Sequence, residues 1–197
     1  MGTSSSPADV VSAPPVEVAV LGSARLGPSD PRYDDAVRLG GLLAGQGWTV
    51  VTGGYGGLMG AVAAGAVAEG GLTVGLPMTP WQHLTPDASH RELRWSADYA
   101  ERLAHLLGVR VAVALPGGVG TLSEAAVVWA AAQTEPNTAR LVLVGPGWAR
   151  LLDAAAAELV VDERDLAVPV HVDAVDDVVP AVQRLLAAPP SVVGARG

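Results

Sequence analysis

The chain repeats one local pattern from Val16 to Val172: a short, continuously apolar run stops at glycine or proline, and a segment with helical spacing follows. The apolar runs are VEVAVLG (Val16–Gly22), WTVVT (Trp48–Thr52), LTVGLP (Leu72–Pro77), VRVAVAL (Val109–Leu115), RLVLVG (Arg140–Gly145) and AVPVHV (Ala167–Val172). Their length and β-branched content predict strands. Between them, Ser29-Asp30-Pro31 starts a helix carried by Tyr33, Ala36, Val37, Leu39, Leu42 and Leu43, and further helices are predicted over 58–69, 97–107, 125–133, 149–159 and 176–187. The strands are apolar throughout rather than alternating, so both faces of their sheet must be covered. That combination predicts an α/β fold, a single-domain, doubly wound, Rossmann-like parallel sheet whose ligands sit at the carboxyl ends of the strands. Met78 to Arg94 has no clear period and reads as a loop over one rim.

At 197 residues and 50% hydrophobic content, the chain suffices for one well-filled core. We expect residues 1–15 to be a disordered leader, 16–188 the nucleotide-binding domain and 189–197 a flexible tail. No apolar run approaches a membrane span and the first residues lack a signal-peptide pattern, so the expected location is the cytoplasm. The net charge of −8 opposes binding to long nucleic acid, because no basic stripe exists to displace counterions. All twelve basic residues are arginine. Without lysine, neither a pyridoxal aldimine nor a Gly-Lys-Ser/Thr phosphate loop can form. Cysteine is absent, and His83, His90, His105 and His171 show no ligand spacing, so no metal and no cofactor are expected.

Three predicted strands end in glycine turns on the same rim: Gly22-Ser23, Gly53 to Gly57, and Gly117 to Thr121. In Pro116-Gly117-Gly118-Val119-Gly120-Thr121 the glycines allow close backbone approach, and a helix start there favours an anion. Thr121 can add a hydroxyl donor. One such loop serves turn geometry as readily as a ligand; three together favour a small phosphorylated molecule. None matches the dinucleotide fingerprint. Glu124, one turn into the following helix, serves either as a partner of the helix dipole or as a group reaching a sugar beside the phosphate. Arg102 is either an exposed helix charge or a side chain turned into the rim. The predicted helix from Glu124 to Gln133 is apolar nearly all round, which an outer-layer helix is not, and this predicts a homodimer.

PGGVGTLSE (Pro116–Glu124), TGGYGGLMGA (Thr52–Ala61) and VLGSA (Val20–Ala24), in that order, resemble the LOG (Lonely Guy) family, once labelled lysine decarboxylases. The resemblance covers roughly Val16 to Gly145. It implies a nucleoside 5′-monophosphate phosphoribohydrolase, releasing a free base and ribose 5-phosphate, with a non-catalytic nucleotide or cofactor carrier of the same fold as the alternative. It places the substrate phosphate on Gly117, Gly118, Val119, Gly120 and Thr121 with help from Gly22 and Ser23, the rest of the substrate along Gly53, Gly54, Gly57 and Met59, and the catalytic pair at Glu124 and Arg102. It implies no metal. The chain departs from the family pattern where Leu103 follows Arg102 and where Tyr55 replaces a glycine of the second motif; both departures bear on the base.

Overall fold

In the computed structural model, which describes residues 15–135 and 137–189, seven strands form one parallel sheet in the order β4-β3-β2-β1-β5-β6-β7. The elements run β1 (Glu17–Leu21), α1 (Pro31–Ala44), β2 (Thr49–Thr52), α2 (Leu58–Ala68), β3 (Thr73–Gly75), β4 (Glu92–Leu93), α3 (Tyr99–Gly108), β5 (Val111–Ala114), α4 (Val119–Thr134), β6 (Arg140–Val144), α5 (Pro146–Glu158), α6 (Glu163–Leu166), β7 (Val170–Val172) and α7 (Val178–Ala187). The six predicted strands are all present, shortened by a residue or more. The leader and tail lie outside the described residues except for Pro15 and Pro189.

Two features differ from the prediction. The rim segment is not wholly irregular: Thr79–Trp81 forms a single 3-10 turn, and Glu92–Leu93 adds a seventh, parallel edge strand against Val74 and Gly75. Both residues of that strand are exposed, so it carries no apolar run to read. The four-residue helix α6 was also hidden. Its visible mark is a capping box between Asp162 and Asp165.

Strand alternation divides the core. Val18 and Val20 of β1 face one layer with Val50, Val113 and Val142, covered by α1, α2 and α7. Ala19 and Leu21 face the other with Val51, Ala112 and Leu143, covered from α3, α4 and α5. The first layer depends on small residues. A Cβ on Gly40 of α1 would strike the Val62 carbonyl of α2, and one on Gly65 of α2 would strike the Val37 carbonyl of α1, so the two backbones meet directly.

The chain leaves central β1 toward β2, β3 and β4, then crosses back to β5 on the other side. This reversal separates the loops after β1 and β5 at their carboxyl ends and opens the crevice where doubly wound sheets take ligands. Among the described residues, no helix is long and apolar enough to cross a membrane.

Candidate functional site

The three glycine turns meet at that crevice through backbone bonds. Ser23 N–H donates to the Pro116 carbonyl (3.3 Å), and Leu58 N–H donates to the Ser23 carbonyl (2.8 Å), so the β1 loop sits between the other two and is tied to both. Gly57 has φ of +69°, and a Cβ there would collide with the Ser23 carbonyl. The hydroxyl of Ser23 accepts from Arg25 N–H (3.1 Å), closing its own turn.

In the third turn the glycines divide by cause. Gly117 is demanded by packing, since the Thr121 side chain folds back over it. Gly118 and Gly120 meet nothing within 4 Å at the position of a Cβ and have no positive φ. Their room lies open on the rim, where Val119 is 83% exposed. Gly118 caps α4 without any side-chain hydrogen bond. Leu122 N–H makes a helical bond to the Gly118 carbonyl (3.0 Å) and is therefore not available to a ligand. The amides of Val119, Gly120 and Thr121 precede it and form the positive end of a 16-residue helix. A shallow groove of about 430 Å³ runs along this turn toward Trp148 and Leu151.

Beside the turn, Arg102 is not an exposed helix charge. It is 4% exposed and its Nε donates to Glu124 Oε1 at 3.0 Å, with Glu124 itself 7% exposed. Arg102 Nη1 donates to the Gly53 carbonyl (3.0 Å) and to the Leu76 carbonyl. One guanidinium thus joins α3, α4, the β2 loop and the end of β3. The contact explains Gly53, where a Cβ would fall on Met59 Sδ and on Arg102 Nη2. Asp98 caps α3 by accepting from Glu101 N–H (2.9 Å), which sets the helix phase that turns Arg102 and Leu106 inward together. Tyr99 OH donates to Ser123 Oγ (3.1 Å) and holds α3 against the start of α4.

Gly22, Ser23, the Gly53–Gly57 loop, Met59, the Gly117–Thr121 turn, Arg102 and Glu124, the residues singled out from the sequence, all lie on this rim. A latch on the outer side of the rim is a further feature, without a signal in the sequence. His90 Nδ1 lies 3.0 Å from the Asp87 carbonyl, which can only accept, so Nδ1 carries the proton. Nε2 of the neutral ring then accepts from Thr52 Oγ1 (2.7 Å), which in turn accepts from Gly54 N–H (3.1 Å). Asp87 N–H closes the loop by donating to the Gly54 carbonyl (2.9 Å). An isolated histidine in an aperiodic segment gives no sequence signal for this. A different opening, about 610 Å³ and lined by Arg140, Arg164, Val168 and Leu185 among others, lies at the amino ends of β6 and β7, away from the glycine turns.

The model of the SLOG cluster4 family matches residues 15–135. The chain belongs to that family. Among its relatives, a Mycobacterium tuberculosis protein named cytokinin riboside 5′-monophosphate phosphoribohydrolase is 37% identical over 115 residues, covering 56% of this chain and 61% of that protein. A Mycobacterium marinum protein of the same name is 34% identical over 111 residues, covering 55% and 59%. This SLOG cluster4 chain spans about three-fifths of the length of those curated relatives. Among solved structures, the molybdenum cofactor carrier protein of Chlamydomonas reinhardtii superposes with a TM-score of 0.71 at 24% identity, covering 89% of this chain and all of that one. The molybdenum cofactor binding protein of Rippkaea orientalis gives 0.68 at 21%, covering 88% and 97%. These two likenesses establish a shared fold.

Burial holds the His90 pKa below its ordinary value of 6.5, against the opposing pull of Asp87. The unfolded chain therefore binds the proton first, and stability is complete above about pH 6.5 and falls as the pH drops below it. We predict that urea unfolding shows such a decline between about pH 7 and 5.5 and that His90→Gln flattens it. Parallel curves for the two proteins would show that the latch does not titrate in this range.

Proposed function

We propose that this site hydrolyses the N-glycosidic bond of a nucleoside 5′-monophosphate. The observation that carries the reading is a buried, arginine-held carboxylate within one helical turn of an open anion cradle. Glu124 and the amides of Val119 to Thr121 belong to the same helix start, which suits a sugar phosphate gripped at one end and attacked at the other. The names of the mycobacterial relatives support the same class of reaction.

In this mechanism the phosphate binds at the Gly117–Thr121 turn, with Gly22 and Ser23 flanking it, and the ribose lies against Glu124. The bond from the anomeric carbon to the base nitrogen breaks while a water oxygen bonds to that carbon. The water's proton leaves to the departing base, giving free base and ribose 5-phosphate. The sugar acquires oxocarbenium character on the way, and a fixed carboxylate stabilises it by holding ribose hydroxyls or orienting the water. Arg102 commits Nε to Glu124 and Nη1 to the Gly53 and Leu76 carbonyls, so its first role is to position the carboxylate and the second loop, while Nη2 remains to support charge developing beside Glu124.

Phosphate charge is the same in ground and transition states, whereas sugar cation character develops only in the latter. We therefore predict that Glu124→Gln and Arg102→Ala each lower kcat by about two orders of magnitude, near the roughly 3 kcal/mol of one preorganised electrostatic group. Gly118→Val should act mainly on KM. The assay is release of ribose 5-phosphate from AMP, CMP, GMP, UMP and prenylated AMP. Tight binding of a nucleotide with no release from any of them would assign the site to a carrier instead.

The reading includes a homodimer. α4 buries Ala125, Val128 and Ala131 on the sheet, and Trp129 Nε1 donates to the Asp165 carbonyl of α6 (2.8 Å), so much of its apolar circumference is used within the chain. Leu122, Ala126 and Ala130 still face outward. Light scattering should give twice the 19.9 kDa of one chain at micromolar concentration. A single-chain mass would contradict the dimer.

A further inference from the structure

Tyr55 stands between Gly54 and Gly56 in the second turn, in the slot where the resembled motif has glycine. The residue is 7% exposed, and its hydroxyl accepts from Met78 N–H at 3.0 Å. The two ends of this bond are tied to the site: Tyr55 lies two residues beyond Gly53, and Met78 two beyond Leu76, and both carbonyls accept from Arg102 Nη1. Tyr55 therefore fastens the start of the rim segment beside the Arg102–Glu124 pair. The next residues turn back in a 3-10 turn, with Trp81 N–H donating to the Met78 carbonyl (2.9 Å), and this brings the Trp81 ring to 6.0 Å from that of Tyr55 at 45°.

Trp81 is 38% exposed. One side of its indole is braced by a buried tyrosine, and the rest is left to water at the edge of the site. An indole in water forgoes much of its hydrophobic gain, and a heteroaromatic ring laid on it recovers that area with stacking in addition. Trp95, just beyond that segment and 44% exposed, has no aromatic brace among the described residues.

We propose that Trp81 is the platform on which the base of the substrate stacks, with Tyr55 as the residue that positions it. This rests on the nucleotide reading above and deepens it: the leaving group is a planar heteroaromatic base, selected by area and stacking before hydrogen bonding. The replacement of glycine by Tyr55 is then a specificity feature, because without the ring the indole loses its brace.

The test is calorimetric binding of AMP and ribose 5-phosphate to the full chain carrying Glu124→Gln, which slows turnover about a hundredfold on the reading above. Adding Trp81→Ala should weaken AMP about tenfold or more while leaving ribose 5-phosphate unchanged, Trp81→Phe should stay within about threefold, and Trp95→Ala should change neither ligand. With Trp148, which lines the groove by the phosphate turn, replaced by Phe in both proteins, AMP should also quench tryptophan emission, and Trp81→Phe should abolish the quench, a readout that stands even if Trp81→Ala does not fold. Unchanged AMP affinity in Trp81→Ala, or a quench that persists in Trp81→Phe, overturns the platform while the nucleotide reading stands. If neither AMP nor ribose 5-phosphate binds the Glu124→Gln protein, both fall together.

Discussion

The Arg102 guanidinium is the contact on which the rim is organised. It is buried, paired with one carboxylate and bonded to two backbone carbonyls, those of the residues that follow β2 and β3. An ion pair of this kind gains little net stability over apolar packing, yet removing one partner costs roughly 3–5 kcal/mol because the other is left charged and buried. Its retention in the layer beneath the crevice is therefore better explained by what it fixes than by what it adds. It fixes the rotamer of Glu124, the direction of the Gly53 carbonyl and the point where the chain leaves β3.

With those three fixed, the neighbouring loops have few ways to lie. Gly57 and Ser23 interlock by backbone contact, Ser23 reaches Pro116, and Thr121 covers Gly117. The first and last of these close approaches forbid a side chain at Gly57 and Gly117. Gly118 and Gly120 are different, because nothing in the fold excludes a Cβ there. Glycine that neither packing nor dihedral angle requires, placed at the positive end of α4, is accounted for by a ligand that comes close to the backbone. The same rim is bounded on its far side by the His90–Thr52–Gly54 latch and by the Tyr55–Met78 bond, so the second turn is held from both directions.

Much of this frame was legible in the residues. β1, β2, β5 and β6 are apolar runs closed by glycine or polar turns, and a parallel sheet must cover both of their faces. The rim location of the three glycine turns followed from topology alone. β4 was not legible, since Glu92 and Leu93 lie exposed at the edge and are held by pairing with β3. The direction of Arg102 was open because charge says nothing about phase; its spacing of four from the buried Leu106 was the available clue. The apolar circumference of α4 over-predicted outward exposure, because Trp129 is taken up by α6, an element too short to see. The contacts of Tyr55 and His90 are long-range, joining residues 23 and 38 positions apart, and no local pattern encodes them.

The central claim is that one helix start holds the phosphate while Glu124, on the same helix, faces the sugar. The most direct measurement is a crystal structure of the Glu124→Gln protein with AMP. The account predicts phosphate oxygens about 3 Å from the amides of Val119 to Thr121 and ribose hydroxyls against residue 124. AMP seated in the cleft by Arg140 and Arg164, or lying in the crevice with its phosphate turned away from α4, would contradict it.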